Sequence, residues 1–253
     1  MAKPDLKSFY TDKYDSERAK SSIGNLTLVD IPTTRNQAAL KFLSQQVKGG
    51  DILEMGAGRG DLAQALLKIV PEIKSYTLSD LSSSRIEGVR KSIKDDRVFV
   101  KELDAEDVPE SEQGKADCVI MVALIEHLVN PVEAMKNVRS LLKDGGFVYI
   151  ETPNIAKLTK RILLVRGQFP STASKNEGLT KFSGEPTDRY DEGHLHYFTY
   201  RSLSLMLTEK CGFSKVHRLA YPTGRTPLGK KVHALLVQSF PTLLSNVVIM
   251  GYK

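Results

Sequence analysis

The chain has 253 residues, 41% of them hydrophobic, which is enough for a packed core and short enough for a single α/β domain. Lys and Arg exceed Asp and Glu by 36 to 30, a mild excess that is compatible with an anionic substrate or surface without the dense charge of a nucleic-acid-binding module. Two cysteines, Cys118 and Cys211, stand far apart without C-x-x-C spacing; this excludes a disulfide framework or cysteine-rich zinc site and fits a reducing, cytoplasmic compartment.

The opening "MAKPDLKSFYTDKYDSERAK" is charged throughout, lacks the apolar run of a signal peptide, and reads as part of an N-terminal cap segment, 1–33. From there to about residue 152, apolar runs alternate with amphipathic stretches. "TRNQAALKFLSQQV" places Ala39, Leu43 and Val47 at i, i+4, i+8 behind Thr34 as N-cap, which predicts a helix. "DILEMG" reads as the first strand, and "DLAQALLKIV" as a helix burying Leu62, Leu66 and Ile69. "SYTLSD" is a second strand, "SSSRIEGVRKSI" a serine-capped helix grouping Ile86, Val89 and Ile93, and "RVFVKELD" a third strand. "ADCVIMVA" is nearly all apolar, as expected of a central parallel strand covered on both faces. "NPVEAMKNVRSLLKDGG" has Asn130 at the N-cap, Pro131 at N1 and Gly145 near the C-cap, the usual chemistry of helix ends. "FVYIETP" follows as a fifth strand. The alternation predicts an α/β fold with a doubly wound, mostly parallel sheet and right-handed crossovers.

After the fifth strand the rhythm breaks. An insert, 154–194, precedes the next helix, "YRSLSLMLTEKCG". It begins with the basic amphipathic stretch "IAKLTKRILLVRG" and continues polar and Gly/Ser/Pro-rich. An excursion at the carboxyl end of a strand is where an α/β enzyme places a lid or substrate-binding element, and Lys157, Lys160, Arg161 and Arg166 are positioned to select a substrate. A strand "FSKVHRLAYP" follows. The stretch 232–251, "VHALLVQSFPTLLSNVVIMG", carries no Asp, Glu, Lys or Arg over a length close to that of a membrane span. Polar residues and Pro241 interrupt it. The reading is a buried helix, a turn at Pro241 and a terminal strand "NVVIMGYK", with contact to a membrane surface through this C-terminal region as the alternative.

In "DILEMGAGRGDL", Gly56, Gly58 and Gly60 lie between a strand and a helix. A backbone this bare suits a dinucleotide or S-adenosylmethionine. The dinucleotide pattern G-x-G-x-x-G calls for glycine at position 61. Asp61 stands there, and its charge opposes a pyrophosphate at the helix N-terminus. S-Adenosylmethionine has no phosphate, and its ammonium and sulfonium tolerate or favour nearby acids.

"EMGAGRG" resembles the first motif of class I S-adenosylmethionine-dependent methyltransferases. Asp80, followed by Leu81, ends the second strand, where the family places an acid on the ribose hydroxyls. Asp104, followed by Ala105, lies after the third strand, where the family contacts the adenine amino group. "ADCVIMVALIEHL", with Val122, resembles the fourth-strand motif, and "LLKDGGFVYIETPN" the fifth. "GHLHYFTYRSLSLMLTEKCGF" resembles a branch that includes ubiquinone-biosynthesis O-methyltransferases and glycan and natural-product methyltransferases. The resemblance covers roughly residues 30 to 220. It implies a seven-stranded Rossmann-like methyltransferase fold, and S-adenosylmethionine held by Glu54, Gly56, Gly58, Gly60, Asp80, Leu81, Asp104, Ala105 and Val122. Taken alone, Asp80 reads equally as a helix N-terminal acid, and Asp104 as a turn residue.

A sulfonium methyl is already electrophilic, so an enzyme must align the acceptor, remove its proton and exclude water. Glu126 and His127 follow the fourth strand; His194 and His196 close the insert. A neutral imidazole suits a hydroxyl proton near pH 7. His127 and His194 are the expected catalytic residues, and His196 a structural one. Metal-dependent relatives resemble E-x-x-E-H at the fourth strand, and here Ala123 replaces the first carboxylate. That leaves too little oxygen for a hard cation, and no metal is expected. The Asn/Asp-Pro-Pro-aromatic motif of amino-directed nucleic-acid enzymes is absent, and Cys118 follows Asp117 rather than the proline of a cytosine-C5 nucleophile. The expected activity is methyl transfer to a small molecule or glycan, at oxygen. The alternatives are an RNA 2′-O acceptor and a non-catalytic methyltransferase-like partner subunit.

Overall fold

The computed structural model describes residues 25–172, 193–223 and 229–253. Most of the N-terminal cap segment and the polar half of the insert lie outside the described residues. Helix α1 (Arg35–Gln46) leads into β1 (Gly50–Met55), α2 (Asp61–Ile69), β2 (Ile73–Asp80), α3 (Ser83–Ser92) and β3 (Val98–Glu102). Then come β4 (Ala116–Val122), α4 (Pro131–Leu141), β5 (Leu142–Thr152) and α5 (Leu158–Val165). Helix α6 (Tyr200–Leu205), β6 (Lys215–Leu219), α7 (Lys230–Ser239), α8 (Pro241–Leu244) and β7 (Val247–Tyr252) complete the order.

The helix starts follow local chemistry. Thr34, Ser82 and Asn130 each accept a hydrogen bond from a first-turn backbone N–H through a side-chain oxygen, satisfying a donor that the helix itself cannot. Strand order is β3-β2-β1-β4-β5-β7-β6. Neighbours pair in parallel from β3 to β5, and β7 runs antiparallel to both β5 and β6. The core has two layers. Leu40 and Leu43 of α1, Leu62 and Leu66 of α2 and Val89 of α3 cover one face of the sheet. Met135 and Val138 of α4, with Leu203 and Leu207, cover the other. β4 sits between them, and Cys118, Val119, Ile120 and Met121 are at most 1% exposed, as a doubly covered strand requires. Cys118 is a core residue, its thiol pushed up by burial.

Three sequence expectations are corrected. Ile69 is 37% exposed, while Ala63, Ala65 and Leu67 are buried; α2 packs on both α1 and β2, so its buried arc is wider than one stripe and displaced from Ile69. Gly145 does not cap α4, because β5 starts at Leu142, directly after the helix. Gly145 (φ +79°) instead lies in an irregular stretch of β5 between the Ala116–Leu142 and Cys118–Phe147 pairs. Gly146 beside it approaches backbone so closely that a Cβ would fall 2.9 Å from the Lys143 carbonyl oxygen. Finally, the helix near the C-terminus is exposed rather than buried. Only Val237 of α7 is buried, because both sheet faces already carry helices and leave α7 no layer to enter. The terminal strand is formed as expected.

Asn154 fastens the C-terminal segment to the end of β5. It is 2% exposed, and its amide donates to the carbonyls of Thr242 and Ser245, each at 3.0 Å. Asn154→Ala leaves two acceptors unsatisfied, and it is expected to lower the unfolding free energy by about 2–3 kcal/mol in urea titration.

Candidate functional site

The strand order reverses between β1 and β4, and ligands of open α/β sheets bind outside the carboxyl ends at such a point. There the ends of β1–β4 surround a cleft that is open to solvent. Gly56, Asp80, Leu81, Asp104, Ala105 and His127 line it, as does Arg85.

The glycine loop is held by conformation. Gly56, Gly58 and Gly60 have φ of +68°, +57° and +78°, the left-handed region that favours glycine. Gly60 is also the N-cap of α2, where a Cβ would lie 2.5 Å from Cδ1 of Ile93. Gly58 and Gly60 shape the turn without lining the cleft. Glu54 does not line the cleft. It is 5% exposed and accepts a 2.8 Å hydrogen bond from the Tyr76 hydroxyl. Burial pushes its carboxyl up to about 7. Val122, the last residue of β4, is half-buried and also off the cleft wall.

Asp80 and Asp104 do local work as well as facing the cleft. Oδ1 of Asp80 accepts the Ser82 N–H at 3.0 Å, and Oδ2 lies 3.6 Å from Arg85. Oδ1 of Asp104 accepts the Glu106 N–H at 2.9 Å. The helix-terminal and turn roles are therefore real, and they fix the orientation of both carboxylates at the wall.

Ala123 follows β4 with φ +50°, the one non-glycine among the described residues in that region. Its N–H donates to the Glu151 carbonyl at 2.8 Å. An L-residue there carries roughly 1–2 kcal/mol of strain, and the resulting bend turns the chain into a single 3₁₀ turn, Ile125–His127. Ala123, Leu124 and His127 thereby reach the cleft.

The end of the insert docks on this turn. The N–H groups of Leu195 and His196 both donate to the Glu126 carbonyl, at 2.8 and 3.1 Å. His194 meets His127 edge to face, ring centroids 4.7 Å apart. Nδ1 of His127 lies 3.0 Å from the Gly193 carbonyl oxygen. A carbonyl only accepts, so in the neutral ring Nδ1 holds the proton and Nε2 is the basic nitrogen. Nδ1 of His194 lies 2.6 Å from Oγ1 of Thr172. His196 reaches the Val129 carbonyl at 3.2 Å, away from the pair.

Glu126 is 1% exposed, and its Oε2 accepts a 2.8 Å bond from Thr152. Its Oε1 is buried without a hydrogen-bond partner. Burial, reinforced by the charge of Glu151, pushes this carboxyl up to about 7. Glu126, His127 and His194 each offer a ligand atom within 4.8 Å of the others. Sequence reasoning missed Arg85, Glu106 and Leu124 on the wall; nothing in the sequence distinguishes this arginine from those on exposed helix faces.

A glycine-loop cleft walled by acids at the ends of β2 and β3, on a seven-stranded sheet with one reversed strand, defines a class: methyltransferases that take the methyl group from S-adenosylmethionine. The chain belongs to the methyltransferase-domain family, whose profile matches residues 31–218. It is 36% identical over 106 residues to the Highly reducing polyketide synthase sthA of Phaeosphaeria nodorum, covering 40% of this chain and 4% of that one. It is 25% identical over 117 residues to the Ubiquinone biosynthesis O-methyltransferase of Bordetella avium, covering 46% of this chain and 47% of the relative. The match thus spans less than half the length of either curated relative. The fold is similar to that of the citrinin polyketide synthase CMeT domain, with a TM-score of 0.58 at 20% identity, covering 85% of this chain and 51% of that one.

Proposed function

We propose that the protein transfers the methyl group of S-adenosylmethionine to an oxygen of a small-molecule or glycan acceptor. When bound, the cofactor supplies a methyl group activated by a sulfonium. The donor set suits it: carboxylates for hydroxyl and amino groups and a bare backbone at Gly56, with Arg85 paired to Asp80. Asp80 takes the ribose hydroxyls, and Asp104 with Ala105 holds the adenine edge. Glu54, Gly58, Gly60 and Val122 support these contacts from behind the wall.

The observation that carries the reading is the orientation of His127. Its Nδ1–H faces the Gly193 carbonyl, so Nε2 is the basic nitrogen, suited to accept the acceptor's proton while the acceptor oxygen takes the methyl group and S-adenosylhomocysteine is released. The carbonyl then stabilises the imidazolium formed, and His194 packs against the same ring. Incubation with methyl-labelled cofactor and separated lipid, glycan, metabolite and RNA fractions identifies the acceptor. Label confined to RNA overturns the acceptor class, and cofactor binding without label transfer overturns the activity.

A second reading rests on the clustering of Glu126, His127 and His194. Two imidazoles and one carboxylate are the ligands of a zinc-like ion more than of magnesium. The partnerless Oε1 of Glu126 fits such a role. With Ala123 in place of a second carboxylate, the metal-free base remains the proposal.

Asp80→Ala is expected to weaken S-adenosylhomocysteine roughly 10- to 150-fold in calorimetry, as loss of a charged hydrogen bond does; unchanged affinity removes Asp80 from the site. His127→Ala or His194→Ala is expected to lower turnover by roughly 10²–10⁴ while S-adenosylhomocysteine affinity stays within about a few-fold. If neither loses even about tenfold, histidine catalysis is wrong. Turnover is expected to survive EDTA. Its loss on chelation, with recovery on adding a divalent cation, makes the Glu126–His127–His194 group a metal site.

A further inference from the structure

We propose that the face carrying α5 and α7 docks on an anionic lipid surface, with the cleft end of the sheet turned towards it. Leu158, Ile162 and Val165 repeat at i, i+4, i+7 on α5, the spacing of a single apolar stripe. In a globular protein such a stripe faces the core, yet these residues are 44%, 41% and 89% exposed, and no residue of α5 is buried. On α7, Val232 and Leu235 share a face and are 49% and 64% exposed.

Both helices belong to one end of the molecule. α5 follows β5, α7 and α8 precede β7, and Thr152 at the end of β5 pairs with Val247 at the start of β7. Side-chain bonds join the two segments: Asn154 to Thr242 and Ser245, and Lys157 Nζ to Asn246 at 2.8 Å. This is also the end where β1–β4 open on the cleft. Phe169, shortly after α5, contacts Tyr197, ring centroids 6.1 Å apart, so the apolar surface continues to the segment docked on Glu126.

The charge selects the occupant. Residues 158–172 contain one lysine and two arginines and no acid, and residues 229–246, at the same end of the sheet, contain two lysines and no acid. Apolar stripes beside basic residues are the composition of helices that lie in a membrane interface, and anionic headgroups attract such bases. Side chains that protrude from two separate short helices need no matching groove in a bilayer, whereas an acidic protein partner would have to supply one. No described helix is long and apolar enough to cross a membrane, so the contact is peripheral.

The full chain is sedimented with phosphatidylcholine vesicles and with vesicles containing about one-third phosphatidylglycerol, the second supplying the anionic surface potential. Association with the anionic vesicles alone, reversed by molar salt, is the expected result. Ile162→Asp/Val165→Asp is expected to lower partitioning by at least about tenfold through loss of apolar insertion. Lys230→Glu/Lys231→Glu, on the other helix, is expected to do so by more than about tenfold, at roughly fivefold for each charge removed. Melting temperature and S-adenosylhomocysteine affinity of both variants stay unchanged. No association with anionic vesicles, equal association with both kinds, or binding that neither variant moves overturns the proposal. A vesicle-independent dimer dissolved by the α5 variant also overturns it and assigns the face to a second copy.

Discussion

The site depends on the point where the strand order reverses. After β1 the chain crosses to one face of the sheet through α2, and after β4 it crosses to the other through α4. Two adjacent parallel strands thus send their connections in opposite directions, and no crossover covers the gap between their carboxyl ends. The glycine loop occupies one lip and the Ile125–His127 turn the other. The walls of the cleft are attached to those lips: the acids at the ends of β2 and β3 on one side, and His127, with His194 packed against it, on the other. Backbone conformation does the positioning, through three glycines on the first lip and one strained alanine on the second.

The functional end of the sheet also concentrates polar groups that a stable core avoids. Glu54 and Glu126 are both almost fully buried, and burial raises both carboxyls to about 7. Glu151 is fully buried; one oxygen is bonded to Tyr221 and Asn246 at 2.8 and 2.7 Å, and the other is without a partner. Such groups are costly unless satisfied, and they cluster where strain and unmet hydrogen-bonding capacity serve binding. Lys157, whose ammonium is pulled down to about 8 by burial at the start of α5, belongs to the same end.

What the sequence discloses follows the range of the interactions concerned. The caps at Thr34, Ser82 and Asn130 are legible because a side chain and a backbone N–H three residues on suffice to make them. β4 is legible because burial on both faces leaves only apolar residues. The place of Asp80 and Asp104 on the cleft wall is legible from order along the chain, Asp80 closing β2 and Asp104 two residues past β3. The errors concern relations between elements. Ile69 repeats correctly within its helix, but α1 rotates the buried arc away from it. The Gly145–Gly146 pair suits a cap or a bulge, and only pairing with β4 decides. The helix at 230–239 has the composition of a core element, and only the occupied sheet faces show that it is outside. Arg85 on the wall, and the strained φ of Ala123, leave no mark in the sequence. The meeting of His127 and His194 depends on two hydrogen bonds to the Glu126 carbonyl across a separation of about seventy residues.

The reversed strand has a consequence for the order of assembly. β6 is made before β7, yet it joins the sheet only through β7, which lies between it and β5. On the ribosome, β1–β5 can assemble while the open edge of the long, apolar β5 waits for a strand that emerges almost a hundred residues later. An unpaired edge of that kind invites pairing with another chain. Mutations that slow the arrival of β7 therefore threaten the yield of soluble protein before they touch the cleft, and the last strand acts as a closing latch on biosynthesis as well as a wall of the finished sheet.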